Sequence, residues 1–434
     1  MAWNRLLLAA LLGGTATCSA FAQDAVSPPA TQATANAPEA TLKAAFKDHF
    51  LVGVAINRSI TTGAAGRRGK ELVDKDIALV KAQFNQIAPE NDLKWQLIHP
   101  REGAEDGYNF EPADAFVEFG QKNNMYIIGH TLVWHSQTPN WVFAGNNPPP
   151  GANDDAKKAE GKAPAADAQA PARRGGRGFG RGFGRGFGGG FGRGFTGPRA
   201  SRDELLARMR EHIHTVVGRY KGKIKAWDVV NEAIADGGEE VLRNSLWRQI
   251  IGPDFIAKAF EYAHEADPDA ILRYNDYGLE NPAKRQKLIK LIKSLKEQKV
   301  PVHAIGSQAH INVSTTFETM DQALTEIKTL GLPIHITELD VNTAARGQRG
   351  TGADIAANAD ATKGGAVSDA EKRLAEAYAG IFRAFVKHRD SVKMVTFWGA
   401  NDAVSWRRSG TPLLFDGENK PKPAFDAVID VANP

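Results

Sequence analysis

The sequence predicts an α/β protein built as a (β/α)8 TIM barrel, and three observations lead to this fold class. First, eight short runs of β-type residues alternate with amphipathic helical patterns along the chain. Second, these runs lack strict alternation of apolar and polar residues, as expected for parallel strands that are buried on both faces. Third, each run begins with apolar residues and ends with polar or aromatic ones, and in a barrel such ends converge on one face.

The strand predictions, in chain order, are FLVGVAIN (50–57), FNQIAPEN (84–91), MYIIGHTLVW (125–134), IKAWDVVNE (224–232), ILRYNDYG (271–278), AIGSQAHI (304–311), PIHITELDV (333–341) and MVTFWGAND (394–402). The clearest helical patterns are ELVDKDIALVKAQ, ADAFVEFGQKNN, SRDELLARMREHIHTVVGRY, FIAKAFEYAHEAD, AKRQKLIKLIKSLKEQ and DAEKRLAEAYAGIFRAFVKH. A doubly wound open sheet is the alternative arrangement, with a ligand at a switch point that a glycine-rich turn often marks. The tract RGFGRGFGRGFGGGFGRGF (177–195) cannot be that turn, because it follows no strand directly.

The N-terminus has the composition of a secretory signal peptide over residues 1–22. A short region with Arg5 precedes an apolar run at 6–12, and the small-residue sequence Ala-Phe-Ala predicts cleavage after Ala22. The apolar run is too short to span a membrane, so we expect a secreted or periplasmic protein with no membrane span. A helix that begins the folded domain is the alternative for this segment. The only cysteine, Cys18, lies inside it, so the mature chain would have no thiol.

One domain is predicted over 41–434, after a linker rich in Pro, Ala, Thr and Ser at 23–40. Hydrophobic residues at 42% and charged residues at 24% are those of a globular protein with enough apolar material for a core. Two stretches low in large apolar residues interrupt the domain. One is a Gly/Arg/Phe-rich insertion after the third strand, at about 146–200, and the other extends the loop after the seventh strand, at about 342–368.

The insertion after the third strand carries the positive charge of the chain. The formal net charge is +4, but ten Lys/Arg and four Asp/Glu lie between residues 145 and 200, so the remainder is slightly acidic. Because Arg and aromatic residues in such runs can bind RNA, a polyanion-binding protein on an inactive barrel is one alternative. The signal peptide argues against a nucleic-acid partner. We expect instead a monomer whose cationic arm makes weak contact with acidic polysaccharide.

Two glutamates stand at the ends of the fourth and seventh predicted strands, in WDVVNE and ITELD. Glu232 and Glu338 would face each other across the barrel mouth, as paired carboxyls do in glycosidases. A single glutamate at a strand end is more often a salt-bridged surface group. The pair is supported by tryptophans whose flat faces suit a sugar ring, namely Trp95, Trp134, Trp398 and Trp406. Since no Cys/His cluster offers ligands, we expect neither a metal nor a cofactor.

Seven motifs follow one another along most of the chain, from about 42 to 430. They are ENDLKW (90–95), GHTLVWHSQTPNW (129–141), WDVVNEAI (227–234), NDYG (275–278), GSQAHI (306–311), PIHITELD (333–340) and TFWGANDAVSW (396–406). The set resembles the family 10 glycoside hydrolases, the endo-β-1,4-xylanases. The resemblance implies a retaining (β/α)8 enzyme that hydrolyses internal β-1,4-xylosidic bonds and has xylan and xylo-oligosaccharides as its partners. A β-glucanase of a related barrel family is the alternative, and the first two motifs favour xylan.

The resemblance also implies roles for individual strand-end residues. Glu232 corresponds to the acid/base and proton donor of the family, and Glu338 to its nucleophile. Asn231 matches the residue that hydrogen-bonds the sugar 2-hydroxyl. His310, with Asp340 behind it, resembles the pair that orients the nucleophile, since a carboxylate that accepts a hydrogen bond stays ionised. The positions that match substrate-binding residues are Glu90, Asn91, Lys94, His130, Trp134, Gln137, Tyr277, Gln308, Trp398 and Trp406.

Overall fold

The computed structural model describes residues 40–103, 106–147, 195, 197–343, 368–407 and 410–432. The predicted signal peptide and nearly all of the linker lie outside these residues, as do positions 148–194 and 344–367 of the two predicted insertions. Cleavage after Ala22 and the course of both insertions therefore stay predictions. No helix within the described ranges is both long enough and apolar enough to cross a membrane.

The strands in these ranges are β1 (Leu51–Ile56), β2 (Gln86–Pro89), β3 (Tyr126–Trp134), β4 (Ala144–Asn147), β5 (Ala226–Asn231), β6 (Ile271–Asp276), β7 (Ala304–Ser307), β8 (His310–Asn312), β9 (Ile334–Asn342) and β10 (Val392–Phe397). Eight of them pair in parallel in the order β1-β2-β3-β5-β6-β7-β9-β10, and β10 pairs back onto β1. The closed barrel confirms the predicted fold class, and the open-sheet alternative is wrong.

Most of the predicted strands are shorter in the structure, and two of them are shortened by turns of the backbone. The run predicted at 304–311 is divided into β7 and β8, because Ala309 adopts a positive φ of 58° that interrupts the extended backbone. The last predicted strand ends at Phe397 and does not continue to 402, since the chain turns at Gly399 with a φ of 133°. β8 then pairs with the end of β9 and extends the sheet at the barrel mouth.

Helices surround the barrel, and they include all six of the predicted helical patterns. Their bounds are Leu42–Ala45, Arg58–Thr62, Lys70–Gln83, Trp95–Ile98, Glu111–Lys122, Arg202–Arg219, Leu246–Ile250, Phe255–Ala266, Pro282–Glu297, Phe317–Lys328, Asp369–Lys387 and Pro423–Ala432. The helix that follows each insertion begins at a capping box, formed by Ser201 with Glu204 and by Ser368 with Glu371. Reciprocal side-chain and main-chain bonds of this kind fix the first residue of a helix.

The core has an apolar outer layer and a mixed interior. Outside the barrel, helices pack on strands through large side chains, such as Phe382 stacked on Phe397 with ring centroids 6.0 Å apart. Inside the barrel, residues two apart along a strand share one face, and polar groups occur among them. Asp228 and Arg273 form a buried ion pair there, and Gln86 of β2 accepts a hydrogen bond from Thr396 of β10, across β1. The interior of this barrel is therefore partly charged.

Main-chain hydrogen bonds join the two ends of the insertion after β3, where the chain leaves the barrel and where it returns. Gly145 N–H donates to the carbonyl of Pro198 over 3.0 Å, and Ala200 N–H donates to the carbonyl of Phe143 over 2.9 Å. Arg208, in the helix that follows, donates to three carbonyls of the outgoing segment. The outgoing and returning ends of the chain thus meet before residues 148–194 begin.

Gly129 in β3 packs directly against the side chain of Trp227, so a substitution at Gly129 tests how tightly this part of the core is packed. A Cβ built at Gly129 would lie 2.1 Å from the ring of the fully buried Trp227. We expect Gly129→Ala to lower the free energy of unfolding by about 1–3 kcal/mol, because the rigid indole cannot withdraw. Chemical denaturation measures the change. The matched control is Gly218→Ala, in the exposed last turn of a helix with nothing within 4 Å, where a change of about 1 kcal/mol or less toward higher stability is expected.

Candidate active site

The carboxyl ends of the barrel strands bring the predicted catalytic residues to one face. Asn231 ends β5 and Glu232 is the next residue, while Glu338 is the central residue of the long strand β9. His310 begins β8 and stands in register with Asp340 of β9. Since all parallel strands of a barrel end on the same face, these side chains line a single opening.

Glu338 is buried and held by two donors. Asn275 Nδ2 donates to its Oε1 over 2.8 Å, and the Nε2 of His310 lies 3.1 Å from its Oε2. Burial by itself would raise the pKa of Glu338, but the hydrogen bond from His310 and the nearby histidine charges outweigh it. The pKa of Glu338 therefore lies below its ordinary value, and the side chain is a carboxylate at neutral pH.

His310 bridges two carboxylates. Its Nδ1 lies 2.9 Å from Asp340 Oδ2, on the side opposite Glu338. Burial lowers the pKa of His310, but the charges of Asp340 and Glu338 and their hydrogen bonds raise it to about 9. As an imidazolium, His310 donates to both neighbours. Asp340 also accepts from Trp406 Nε1 over 2.8 Å and forms an ion pair with Arg407 over 3.0 Å.

Glu232 has a different environment from Glu338. Its Oε2 accepts from Trp134 Nε1 over 2.8 Å, and its Oε1 accepts from Gln308 Nε2 over 3.0 Å. Both donors are neutral. The backbone of Glu232 has a φ of 56°, in the left-handed region that non-glycine residues seldom adopt. The turn at this residue directs its side chain into the opening next to the end of β5.

A chain of hydrogen bonds links the two carboxyls through Asn231. Its Oδ1 accepts from Asn275 Nδ2 over 2.9 Å, and the same nitrogen donates to Glu338. It also accepts from Gln308 Nε2 over 3.3 Å, and that nitrogen donates to Glu232. The relative positions of Glu232 and Glu338 are therefore set by carboxamides on neighbouring strands.

Lys94 lies beside both carboxyls. Its Nζ is 3.1 Å from Asn91 Oδ1 and 5.2 Å from the centre of the Trp134 ring. Burial lowers the pKa of Lys94, and the charges of nearby carboxylates, first Glu338 and then Glu90, act in the opposite direction. Asn91, Lys94 and Trp134 thus form one side of the opening, with Glu90 close by.

Aromatic and polar side chains form the rest of the wall. His130 donates toward Asp228, with Nδ1 and Oδ2 2.9 Å apart, and its ring meets Trp398 edge-on at 5.2 Å. Trp398 is 8% exposed, whereas Trp406 is 41% exposed, so Trp406 forms the rim. Gln137 is buried and has a positive φ of 45° in the turn after β3.

Trp95 is placed in the core, although the sequence predicts it beside the sugar. Its side chain is buried in the hydrophobic cluster and stacks on His212 with ring centroids 3.7 Å apart. The prediction that Trp95 offers its face to a sugar is therefore wrong.

Tyr277 is placed differently from the other predicted binding residues. Its hydroxyl donates to Asp236 and accepts from Arg243 Nη2 over 2.9 Å. Arg243 Nε in turn donates to the carbonyl of Glu232 over 3.1 Å. Lys284 Nζ lies 3.3 Å from the centre of the Tyr277 ring. Arg243 thus links Tyr277 to the main chain of Glu232 by two hydrogen bonds.

Several residues of the site were not singled out by the sequence analysis. In the sequence, Asn275 is only one of the polar residues at the end of a predicted strand, but in the structure it donates to Asn231 and Glu338. Arg407 follows the last motif and pairs with Asp340, and no pattern in the sequence distinguishes it from a surface arginine. Arg243 lies in a loop without periodicity, so only the fold reveals its contact with Glu232.

The chemistry of the site follows from the contrast between its two glutamates. A carboxylate kept ionised by a cation can attack or stabilise a developing positive charge, and a second carboxyl at the same opening can transfer a proton. These are the two functions that acid-assisted cleavage of a glycosidic bond requires. The barrel and its mouth are therefore those of a glycoside hydrolase.

Comparison with known proteins gives the family. The model of glycosyl hydrolase family 10 matches residues 41–158 and 194–431, which leaves 159–193 of the insertion unmatched. The chain belongs to glycosyl hydrolase family 10.

Individual relatives are similar over most of this chain. A β-1,4-xylanase of Dictyoglomus thermophilum is 34% identical over 397 residues, which cover 90% of this chain and 90% of the relative. An endo-1,4-β-xylanase A of a Caldicellulosiruptor species is 38% identical over 89% of this chain, which spans only 46% of that longer protein. The structure of an endoxylanase from a sugarcane soil metagenome superposes with a TM-score of 0.69 at 35% identity, covering 91% of this chain and 99% of that one.

The charge of His310 predicts a pH-dependent contribution to stability. A group whose pKa is raised from 6.5 to about 9 stabilises the fold fully below pH 6.5, and this stabilisation is lost as the pH rises through about 9. It amounts to on the order of 3 kcal/mol. Chemical denaturation of the native protein and of His310→Gln should therefore give unfolding free energies that differ at neutral pH and converge in the alkaline range. A difference that stays constant through pH 9 would contradict the assignment.

Proposed function

We propose that the protein is a retaining endo-1,4-β-xylanase, with Glu338 as the nucleophile and Glu232 as the acid/base. The observation that carries the proposal is the contrast between a buried, ionised Glu338 and a Glu232 held by Trp134 and Gln308. The two relatives from Dictyoglomus thermophilum and Caldicellulosiruptor are xylanases, which supports xylan as the substrate.

The reaction proceeds in two displacements. In the first, a carboxylate oxygen of Glu338 bonds to the anomeric carbon while the glycosidic C–O bond breaks, and the leaving oxygen takes the proton of Glu232. In the second, Glu232 takes a proton from water, whose oxygen bonds to the anomeric carbon and releases Glu338. This route retains the anomeric configuration and calls for about 5–5.5 Å between the carboxyls, whereas inversion calls for about 6.5–9.5 Å.

The surrounding residues support both displacements. His310 keeps Glu338 ionised and in one rotamer, because the carboxylate receives its hydrogen bond on one oxygen and that of Asn275 on the other. We assign Asn231 to the 2-hydroxyl of the sugar bound next to Glu338. We assign the sugars on the non-reducing side to the remaining wall, made of Glu90, Asn91, Lys94, His130, Gln137, Trp398 and Trp406.

Substitution of the two glutamates tests the proposal. Glu338→Ala should reduce xylan hydrolysis to background, because no covalent intermediate can form. Glu232→Ala should lower the rate on xylan by about 10²–10⁴-fold and the rate on aryl xylosides with good leaving groups much less, since such groups depart without a proton. Initial rates on both substrates measure the effect.

The matched control is Glu265→Ala, a glutamate on an outer helix that pairs with Arg210, which should leave both rates unchanged. Native-level xylan hydrolysis by Glu338→Ala would overturn the nucleophile assignment. An equal loss on both substrates would overturn the acid role of Glu232. A higher rate on carboxymethyl-cellulose than on xylan would favour the β-glucanase alternative, and proton NMR of the first product decides between retention and inversion.

A second proposal concerns the basic insertion, which we infer to make weak contact with acidic polysaccharide such as uronic-acid-substituted xylan. Between residues 159 and 193 the sequence has seven Lys/Arg and two Asp/Glu, with Phe residues every four positions from 179 to 191. The family model does not match this stretch. The chain on either side is joined through Gly145 and Ala200, next to the loop that follows a barrel strand.

Deletion of residues 159–193 should weaken binding to glucuronoxylan at low salt and leave turnover of neutral xylo-oligosaccharides nearly unchanged, because added charge acts only on a charged polymer. Affinity electrophoresis at two salt concentrations measures the binding. The matched control keeps the length and replaces the six arginines between 173 and 193 by glutamine, and it should behave like the deletion. Unchanged binding in both variants would refute the contact, and a shift of RNA without binding to acidic xylan would favour the polyanion alternative.

A further inference from the structure

The segment that carries Glu232 is attached to β6 by three consecutive main-chain N–H groups. Glu232 N–H donates to the carbonyl of Asn275 over 2.8 Å. The N–H groups of Ala233 and Ile234 both donate to the hydroxyl of Tyr274, each over 3.0 Å. The backbone that turns at Glu232 is therefore held by one strand, and two of its three N–H groups donate to the same side chain.

The Tyr274 hydroxyl has no remaining hydrogen-bonding capacity. It accepts the two N–H groups and donates its own proton to Asp276 Oδ2 over 2.6 Å. A hydroxyl has two acceptor positions and one hydrogen, so all three are used. Tyr274 is fully buried and belongs to the large hydrophobic core cluster.

Asp276 fixes the hydroxyl from the other side. In addition to the Tyr274 proton, it accepts from Tyr277 N–H over 2.9 Å and from Ile234 N–H over 3.3 Å. It also forms an ion pair with Lys284, whose Nζ lies 2.9 Å away. The direction in which the Tyr274 hydroxyl donates is thus determined by a carboxylate that is itself anchored to the following helix.

The conformation of Glu232 depends on these bonds. A φ of 56° in a residue with a long side chain persists only where surrounding contacts hold it. Here the N–H of Glu232 is bonded to Asn275, its carbonyl to Arg243, and the next two N–H groups to Tyr274. Without the Tyr274 hydroxyl, the buried N–H of Ala233 would have no acceptor and that of Ile234 would keep only its longer bond to Asp276, so the turn would be held less firmly.

We propose that Tyr274 is a positioning residue that aims the carboxyl of Glu232 at the leaving oxygen by holding the left-handed turn of its backbone. The proposal rests on the proposed acid role of Glu232. Small misplacements of a proton donor reduce the rate strongly, because proton transfer requires hydrogen-bond distance in the transition state.

Tyr274→Phe, which removes one oxygen atom, tests the proposal. Its kcat/KM on xylo-oligosaccharides, whose leaving sugar needs a proton, should fall by about 10–100-fold. Its kcat/KM on dinitrophenyl xylobioside, whose leaving group departs without a proton, should change by about twofold or less. A general loss of structure would lower both rates together, so the ratio of the two rates is the diagnostic quantity.

The matched control is Tyr220→Phe. Tyr220 is also buried, and its hydroxyl also donates to a carboxylate, that of Asp114, over 3.0 Å, on the outer helices. This control should leave the ratio of the two rates unchanged. Asp276→Asn is a second variant, which keeps the Tyr274 hydroxyl but replaces the charged acceptor of its proton by a neutral carboxamide with one acceptor oxygen, and it should shift the ratio in the same direction by a smaller factor.

The outcomes separate this proposal from the assignment of Glu232. If Glu232→Ala loses activity equally on both substrates, the acid role itself is wrong. If Glu232→Ala shows the leaving-group dependence and Tyr274→Phe does not, only the positioning role of Tyr274 is overturned. If Tyr274→Phe does not fold, Asp276→Asn decides in its place: an unchanged ratio in that variant overturns the proposal, and a shifted ratio supports it.

Discussion

The geometry of the active site depends on the orientation of one carboxamide, that of Asn275. With Thr337 Oγ1 donating to its oxygen over 2.6 Å, its amino group faces two acceptors, Asn231 and Glu338. A Cβ at Gly306 would lie 2.3 Å from that oxygen, so a glycine on the neighbouring strand makes the space that Asn275 needs. A buried side chain with every polar atom bonded has a single orientation, and this one connects the strands on which both glutamates are built.

Buried charged side chains inside the barrel lie next to side chains of opposite charge, both in its middle and near its mouth. Asp228 is paired with Arg273, and the nearby His335 stays neutral because burial and the Arg273 charge lower its pKa to about 3. Nearer the mouth, the imidazolium of His310 lies between two carboxylates, and Arg407 adds a second positive charge beside Asp340. Since an unpaired buried charge is strongly destabilising, each of these pairs constrains the others. The ionised state of Glu338 therefore depends on several of these groups, first the hydrogen bond from His310 and then the charges of His130, His310 and Asp228.

The sequence was sufficient to predict the barrel, because eight strand patterns alternate with helical ones and each strand ends in polar or aromatic residues. It also indicated which side chains the mouth would bring together, since the order of strands implies a shared face. It could not indicate Tyr274, which in the sequence is an ordinary aromatic residue of a buried strand. Its partners at 233 and 234 lie some forty residues earlier and become neighbours only through the register of β5 against β6. The pairing of Arg273 could not be predicted for the same reason, because a strand pattern does not distinguish an arginine that is paired inside a barrel from one at the surface.

The hydrogen bonds that join the two ends of the insertion after β3 determine how freely the insertion can change in length and composition. The segment from Phe143 to Gly145 is bonded to Pro198 and Ala200, and the next helix begins at the capping box of Ser201. A loop whose ends are already closed gains only about 0.6 kcal/mol of closure cost with each doubling of its length. Length and composition beyond this junction are consequently decoupled from the stability of the barrel. At this position the fold can acquire a new surface chemistry beside its catalytic opening while its core stays the same.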